Sequence, residues 1–351
     1  MFPVITFSFL SLVLISCSHS PAPIAKKEVS SQKRKPNRVK RSSKIAKKPS
    51  KKDLHLKKGN QFSIDGLYRE AIHEYREVLN IEKNNLAAHR MIGIIHVKTG
   101  EYRKAIRHLE KNINKLESDF EANFYLAEAY RTQDRYGDAI FRYKFALTQK
   151  PNHKLTLKAL SWSYYKIRYY KAALETSIKL KKVSPRDIQS TIILARVLNK
   201  IGKPQKALSQ IRKALLSSPK EYKPYLNSVL GDVFLGMNNV KKAEASYKAA
   251  LKEQPLLAGA LLGLAKTTLE QGGPPDVAIT FLERAGRIKP SLFETFFYLG
   301  KAHKDKKPKV SKKYRKKFRQ LASGDPEYNE QLSEVRKMLS KKNRPKKEKR
   351  L

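Results

Sequence analysis

A unit of about 34 residues recurs seven times between Lys52 and Pro290, and once more weakly after it. Each copy carries a small residue, then an aromatic, Ala, an aromatic or aliphatic residue, Ala and finally Pro at fixed spacing. The clearest copy runs from Phe120 to His153, with Leu126, Ala127, Tyr130, Tyr136, Ala139, Tyr143, Ala146 and Pro151. A unit this short cannot bury its apolar face alone, whereas stacked units can. The predicted product is an all-α fold, a solenoid of helix-turn-helix units. Such a fold presents a binding surface rather than an enclosed catalytic cleft.

The register holds along the chain. Gly59, Phe62, Gly66, Tyr68, Ala71 and Tyr75 mark the first unit (52–85). Ile92, Gly93, Gly100, Tyr102, Ala105 and Leu109 mark the second (86–119). After the third (120–153), Tyr164, Tyr170, Ala173 and Pro185 belong to the fourth (154–187), and Gly202, Ala207, Ala214 and Pro219 to the fifth (188–221). The spacing slips by two at Tyr222–Lys223. The sixth unit (224–257) follows with Leu230, Gly231, Phe234, Ala243, Tyr247, Ala250 and Pro255. The seventh (258–292) holds Leu264, Ala265, Ala278, Ala285 and Pro290, with an extra residue at Gly272–Pro275. These residues resemble the tetratricopeptide repeat (TPR), and the likeness covers most of the chain. It implies a right-handed α-solenoid of about eight units.

The residue chemistry points the same way. Apolar positions recur at three- and four-residue steps, as amphipathic helices require. Ala and Gly stand where two helices must approach closely, and aromatics fill the space between them. A Gly, Asn or Asp near the middle of most units joins helix A to helix B. Pro near the end stops helix B, because it lacks the amide proton and clashes with the preceding turn. An eighth, degenerate unit (293–326) opens with Phe296, Leu299 and Gly300 and then runs into Lys-rich sequence. Tyr314, Phe318, Leu321 and Pro326 match only with about two inserted residues. A capping helix (327–340) should turn Leu332, Val335 and Leu339 toward that unit, and the tail 341–351 is almost wholly basic.

Phe2 to Ile15 is an apolar run too short to span a bilayer, which needs ~20 residues. It ends in Leu14-Ile15-Ser16-Cys17, which looks like a bacterial lipobox. That likeness implies a signal peptide (1–16), cleavage before Cys17 and lipidation of its thiol, typically with palmitate on the amine. The chain would then be anchored in a cell envelope by its acyl chains, each buried CH₂ adding ~0.8 kcal/mol. Ser18 leans toward the outer membrane, with the solenoid facing the periplasm. The alternative is an ordinary secretory signal in which Cys17 is incidental. Positions 2–10 carry no Lys or Arg, so only the terminal amine supplies the positive charge signal peptides normally have. Cys17 is the sole Cys, so disulfide and thiolate-metal sites are not expected.

Between anchor and repeats, residues 17–51 form a basic tether with Glu28 as its only acid, too poor in apolar residues to fold by itself. The whole chain has 75 Lys and Arg against 31 acids, a net charge of +44. Nucleic acid is the usual partner of such a balance, but the export signal argues against it. Anionic lipid, a wall polymer or an acidic protein fits better, or the charge serves only to solubilise exposed faces.

In TPR proteins helix A lines a concave groove that takes a partner's peptide or helix. Carried over, that face comprises Arg90, Glu128, Arg131, Lys158, Trp162, Tyr165, Arg196, Asn199, Asp232, Lys266 and Lys301. Trp162 is the only Trp, Tyr165 lies one turn on, and Arg131, Lys158 and Arg196 should surround them. Trp and Arg dominate binding energy at interfaces, so an acidic protein segment with an apolar anchor is the expected ligand. Trp162 could equally pack between helices. The Lys, Asn and Arg set with which chaperone-binding members clamp two carboxylates is absent. No phosphate loop and no nucleophile-base pair occurs in the sequence. His89 and His96 fall near one helix face without an evident third metal ligand. Catalytic residues, cofactors and metals are therefore not expected, and the chain reads as a scaffold.

Overall fold

Where each helix starts is decided by side chains at its amino end. In the computed structural model, Asn85, Asp119, His153 and Asp187 each cap a helix by accepting from a backbone N–H three residues on, at 3.0, 2.8, 3.3 and 2.8 Å. Such a cap stabilises a helix by ~1 kcal/mol. The 34-residue interval between them sets the period of the helices. Ser50 and Asp53 cap each other reciprocally at the first helix. That box starts the helix at Lys51, one residue inside the expected tether. The structure describes residues 49–340 other than 112, 117, 326 and 327. The signal peptide, Cys17, the tether up to residue 48 and the basic tail lie outside the described residues.

Seventeen helices follow in order among the described residues. Units 1 to 3 supply α1 (Lys51–Ile64) with α2 (Tyr68–Ile81), α3 (Leu86–Lys98) with α4 (Tyr102–Glu110), and α5 (Phe120–Thr132) with α6 (Tyr136–Gln149). Units 4 to 6 supply α7 (Lys154–Lys166) with α8 (Tyr170–Val183), α9 (Ile188–Lys200) with α10 (Pro204–Ser217), and α11 (Lys223–Gly236) with α12 (Val240–Glu253). Then come α13 (Ala258–Glu270) with α14 (Pro275–Ile288), α15 (Glu294–Ala302) with α16 (Pro308–Ala322), and the cap α17 (Asn329–Ser340). Each helix packs on the next, and from α3 onward each A helix also packs on the A helix of the following unit. The A helices therefore make a continuous inner layer, and the fold is an all-α solenoid. None of the described helices is long and apolar enough to cross a membrane.

The turn between A and B repeats as strictly as the caps. Gly66, Gly100, Asp134, Arg168, Gly202, Asn238 and Gly272 all have φ between 56° and 80°. A left-handed residue costs ~1–2 kcal/mol unless it is Gly, or an Asn or Asp whose short side chain tolerates the region. Arg168 is the exception, a long side chain where the backbone asks for Gly. The two-residue slip in the sequence is a 3₁₀ turn at Lys220–Tyr222 that leads into α11. Unit 2 departs from expectation: α4 ends after nine residues, and a 3₁₀ turn at Ile113–Leu116 completes the path to α5.

In units 1, 2, 3, 5 and 6 a small residue on helix A faces a large one on helix B sixteen positions later. Tyr75, Leu109, Tyr143, Ile211 and Tyr247 are fully buried in this way. A Cβ added to Gly231 would lie 2.5 Å from the Tyr247 ring, so glycine is required there. Burial of each large side chain contributes ~1.5–3 kcal/mol. Unit 4 fills the same space with Ser161 and Ser177, whose hydroxyls meet at 2.6 Å. The cap places Leu332 and Val335 in a core with Phe297, Phe318 and Tyr328, with Leu339 packed at its edge.

Candidate functional site

The buried tyrosines extend their hydroxyls to the concave face. Tyr75 donates to Asn60 at 2.7 Å, Tyr143 to Glu128, and Tyr247 to Asp232 at 2.8 Å. Glu128 and Asp232 belong to one column of the repeat, which continues through Trp162, Arg196, Lys266 and Lys301. Along this column the structure separates the predicted site residues into two groups.

Trp162, Tyr165, Arg196 and Asn199 come together and line a cavity of about 530 Å³ on the concave side. The Trp162 and Tyr165 rings stack with centroids 5.3 Å apart and 18° between planes. Tyr165 is 9% exposed and packs with Ala173, Ile193 and Val197, so it supports the site from the core. Trp162 is half-buried: it packs against that core and also reaches the cavity. The Arg196 guanidinium carbon lies 5.8 Å from the centre of the Trp162 ring, a cation-π arrangement. Among the described residues no carboxylate lies within ion-pair distance of Arg196. The Asn199 amide donates to the Asp232 carbonyl at 2.9 Å and ties unit 5 to unit 6. Its side-chain oxygen is buried and has no hydrogen-bond partner among the described residues.

Arg131 and Lys158 do not join them. The Arg131 guanidinium is held by Glu128 of its own helix at 2.6 Å. The same carboxylate accepts from Tyr143, so Glu128 is satisfied within unit 3. Lys158 is half-buried on α7 and stands outside the cavity lining. Neither lines the cavity: Arg131 is tied to Glu128, and Lys158 stands one turn before Trp162 on α7. At the ends of the face, Arg90 pairs with Asp119 and Glu121, and Lys301 with Glu334 of the cap.

Burial shapes the charges that remain. Desolvation pushes the Asp232 carboxyl above its usual range, against the pull of Arg196 and the Tyr247 hydrogen bond. Burial opposes the charge on Lys266, but Glu294 at 2.6 Å more than offsets it and raises the ammonium's pKa.

Two features escaped the sequence reading. The far wall of the cavity is built by Asp325, Tyr328 and Gln331, from the carboxyl-terminal segment. A third imidazole, His108, joins the two predicted ones: its Nδ1 lies 3.0 Å from that of His89, and its ring centre 5.7 Å from that of His96. Burial, then the neighbouring imidazoles, pushes His108 down to about 4. Among the described residues no group of three His, Cys, Asp or Glu is arranged to hold a metal.

Comparison with known proteins agrees with the geometry. A tetratricopeptide repeat family model matches residues 90–152 and 229–292. A TPR repeat-containing protein of Methanocaldococcus jannaschii is 27% identical over 170 residues, 46% of this chain and 30% of that protein. The match thus takes in less than a third of the relative. A tetratricopeptide repeat protein from Parabacteroides merdae superposes with a TM-score of 0.60 at 16% identity, over 74% of this chain and 98% of that one. Yeast Tom70 gives 0.54 at 16% identity over 88% and 67%. The Cut9–Hcn1 hetero-tetramer of APC/C gives 0.52 at 14% identity over 81% and 55%. Residues 90–152 and 229–292 therefore match the tetratricopeptide repeat, and the described helix pairs stack as a helical solenoid like that of the similar structures.

Proposed function

We propose that this protein is a non-catalytic scaffold whose concave face binds a peptide or helix of a partner protein, centred on units 4 to 6. The observation that carries this is the Trp162–Tyr165 stack beside Arg196, which makes no ion pair among the described residues, on one wall of a concave cavity. An aromatic anchor next to a guanidinium suits an acidic segment with an apolar side chain. One structure of similar fold is a hetero-tetramer, Cut9–Hcn1, in keeping with a fold that holds other chains. Anchored by lipid at Cys17, the scaffold would work at a bacterial cell envelope, on the periplasmic face of the outer membrane, and assist assembly of an envelope complex. Affinity capture in mild detergent, with the intact chain and with Trp162→Ala/Arg196→Glu, tests the groove. A protein recovered by the first and lost from the second supports it. Equal recovery overturns it.

A second reading has its own observation. α16 contains no acid, and its Lys309, Lys312, Lys313, Lys316, Lys317 and Arg319 are all exposed. Like charges at i,i+4 repel, and a polyanion would relieve them. On this reading the tether and α16 hold anionic envelope polymer or lipid, and the repeats act as a spacer. Deleting residues 19–48 while keeping Cys17 separates the two. Partner capture survives under the first reading, and salt-sensitive envelope retention falls under the second.

A further inference from the structure

The loops that join one unit to the next lie along a single edge of the solenoid. Within each unit the two helices run antiparallel across a short turn, and successive A helices pack side by side. Every B helix therefore ends, and every A helix begins, on the same edge. From unit 3 to unit 8 five such connections follow one another, at 149–155, 182–187, 216–223, 252–257 and 287–291.

Each of the five exposes a large apolar side chain: Leu155 at 48%, Val183 at 36%, Leu216 at 90%, Leu256 at 66% and Ile288 at 39%. One exposed Leu says nothing by itself, but the same feature in five successive loops is a row. Each loop also exposes a Pro, which fixes φ there, and at least one Lys or Arg. Across the five, nine Lys and Arg stand against three acids. One of those acids, Asp187, is already paired with Lys154 at 2.9 Å. On the opposite edge of these units Tyr169 and Val277 are the exposed large apolar side chains.

The make-up of the row decides what it meets. A protein partner is gripped by clustered aromatics and Arg in a packed centre. Here aliphatic side chains recur singly, one unit apart, each among cations. That pattern suits a surface with no features of its own. Aliphatic groups enter the boundary of the acyl chains, while Lys and Arg stems carry their charges to anionic headgroups. The chain also joins the fold at this edge. Ser50 caps α1, the first A helix, so the residues that link Cys17 to the repeats arrive where the A helices begin.

Resting on the lipid-anchor reading of Cys17, we propose that this edge lies on the anionic lipid surface that holds the anchor, with the five apolar side chains in its headgroup region. The solenoid then runs along the membrane on its loops, and the concave face stays open to a partner.

The test uses the chain from residue 17 carrying Cys17→Ser, which keeps every described residue and has no thiol. An environment-sensitive fluorophore is placed on Leu256→Cys and, in a second chain, on Tyr169→Cys of the opposite edge. The probe is vesicles of phosphatidylethanolamine with phosphatidylglycerol. Emission from 256 should shift to the blue on binding and that from 169 should not. Vesicles of phosphatidylcholine alone should leave both unshifted. Leu216→Ser/Ile288→Ser, at two exposed positions, should weaken vesicle binding about tenfold, with circular dichroism confirming the fold. Vesicle binding with no shift at 256 would mean that the basic segments alone hold the membrane, and overturns the proposal. Equal shifts from both edges, an equal shift with phosphatidylcholine, or no vesicle binding at all also overturns it. Palmitate incorporation into the full chain in cells tests the anchor apart. Its absence, with the shift at 256 intact, would fail the anchor reading alone.

Discussion

Units 3 and 4 are adjacent copies of one template, yet they use it in opposite ways. In unit 3 the fully buried Tyr143 sends its hydroxyl to Glu128, Glu128 holds Arg131, and Asp134 makes the turn. Those three side chains answer one another within the unit. In unit 4 the equivalent positions are Ser177, Trp162, Tyr165 and Arg168. The core is closed by two small hydroxyls, the concave column is aromatic, and the turn residue reaches a segment far along the chain. Binding chemistry collects where a repeat departs from its template, because positions that only hold the stack together are filled alike in every copy.

Substitutions can sharpen that contrast. The largest effect should come from Tyr143→Ala, which empties a fully packed site in unit 3 and should cost ~3–5 kcal/mol in chemical denaturation. Ser177→Ala in unit 4 leaves Ser161 bonded to the Ala173 carbonyl at 3.2 Å, and should cost about 1 kcal/mol. Similar losses would show that the two cores are not built differently. Next come Ala139→Leu and Ala243→Leu, each at a wholly buried contact between helices. Forcing the helices apart should lower stability by ~1–3 kcal/mol, and an unchanged melting curve would mean the register is wrong.

A pH titration addresses unit 2. His108 titrates near 6.5 when unfolded and at about 4 when folded, so the unfolded chain binds the extra proton between those values. Stability should therefore be complete above about 6.5 and fall as pH drops toward 4, by at most ~3 kcal/mol. His108→Phe should remove that portion of the acid slope. The smallest effects belong to the turn. Arg168→Gly should stabilise by about 1 kcal/mol, and Asp134→Gly by less, since Asp tolerates the left-handed region better. If Arg168→Gly gains nothing, the turn is not strained.

Much of this architecture is legible in the sequence, because a repeat multiplies every local signal. One Gly or one Ala says little, but the same residue type returning every 34 positions fixes the turns, the close approaches and the helical phase. The pairing of Trp162, Tyr165 and Arg196 follows from that phase alone. What the period cannot carry is contact between distant units. Arg131 belongs to Glu128 because of side-chain reach within one helix. His108 meets His89 across a helix pair whose second member is shortened. Asp325 and Glu330 meet Lys166 and Arg168 through the accumulated curvature of several units, which no local pattern records. The one available hint was Arg168 itself, a bulky residue where four other units place Gly.

The central claim is that the concave face at unit 4, and not the convex one, is where a partner sits. The most direct measurement places a photo-crosslinking residue at Trp162, and in a second chain at Phe141, which is 53% exposed on the B helix of unit 3. Both are irradiated in cells before capture. A crosslinked partner from position 162 and none from 141 is the predicted result. Adducts from 141 alone, or equally from both, would contradict it.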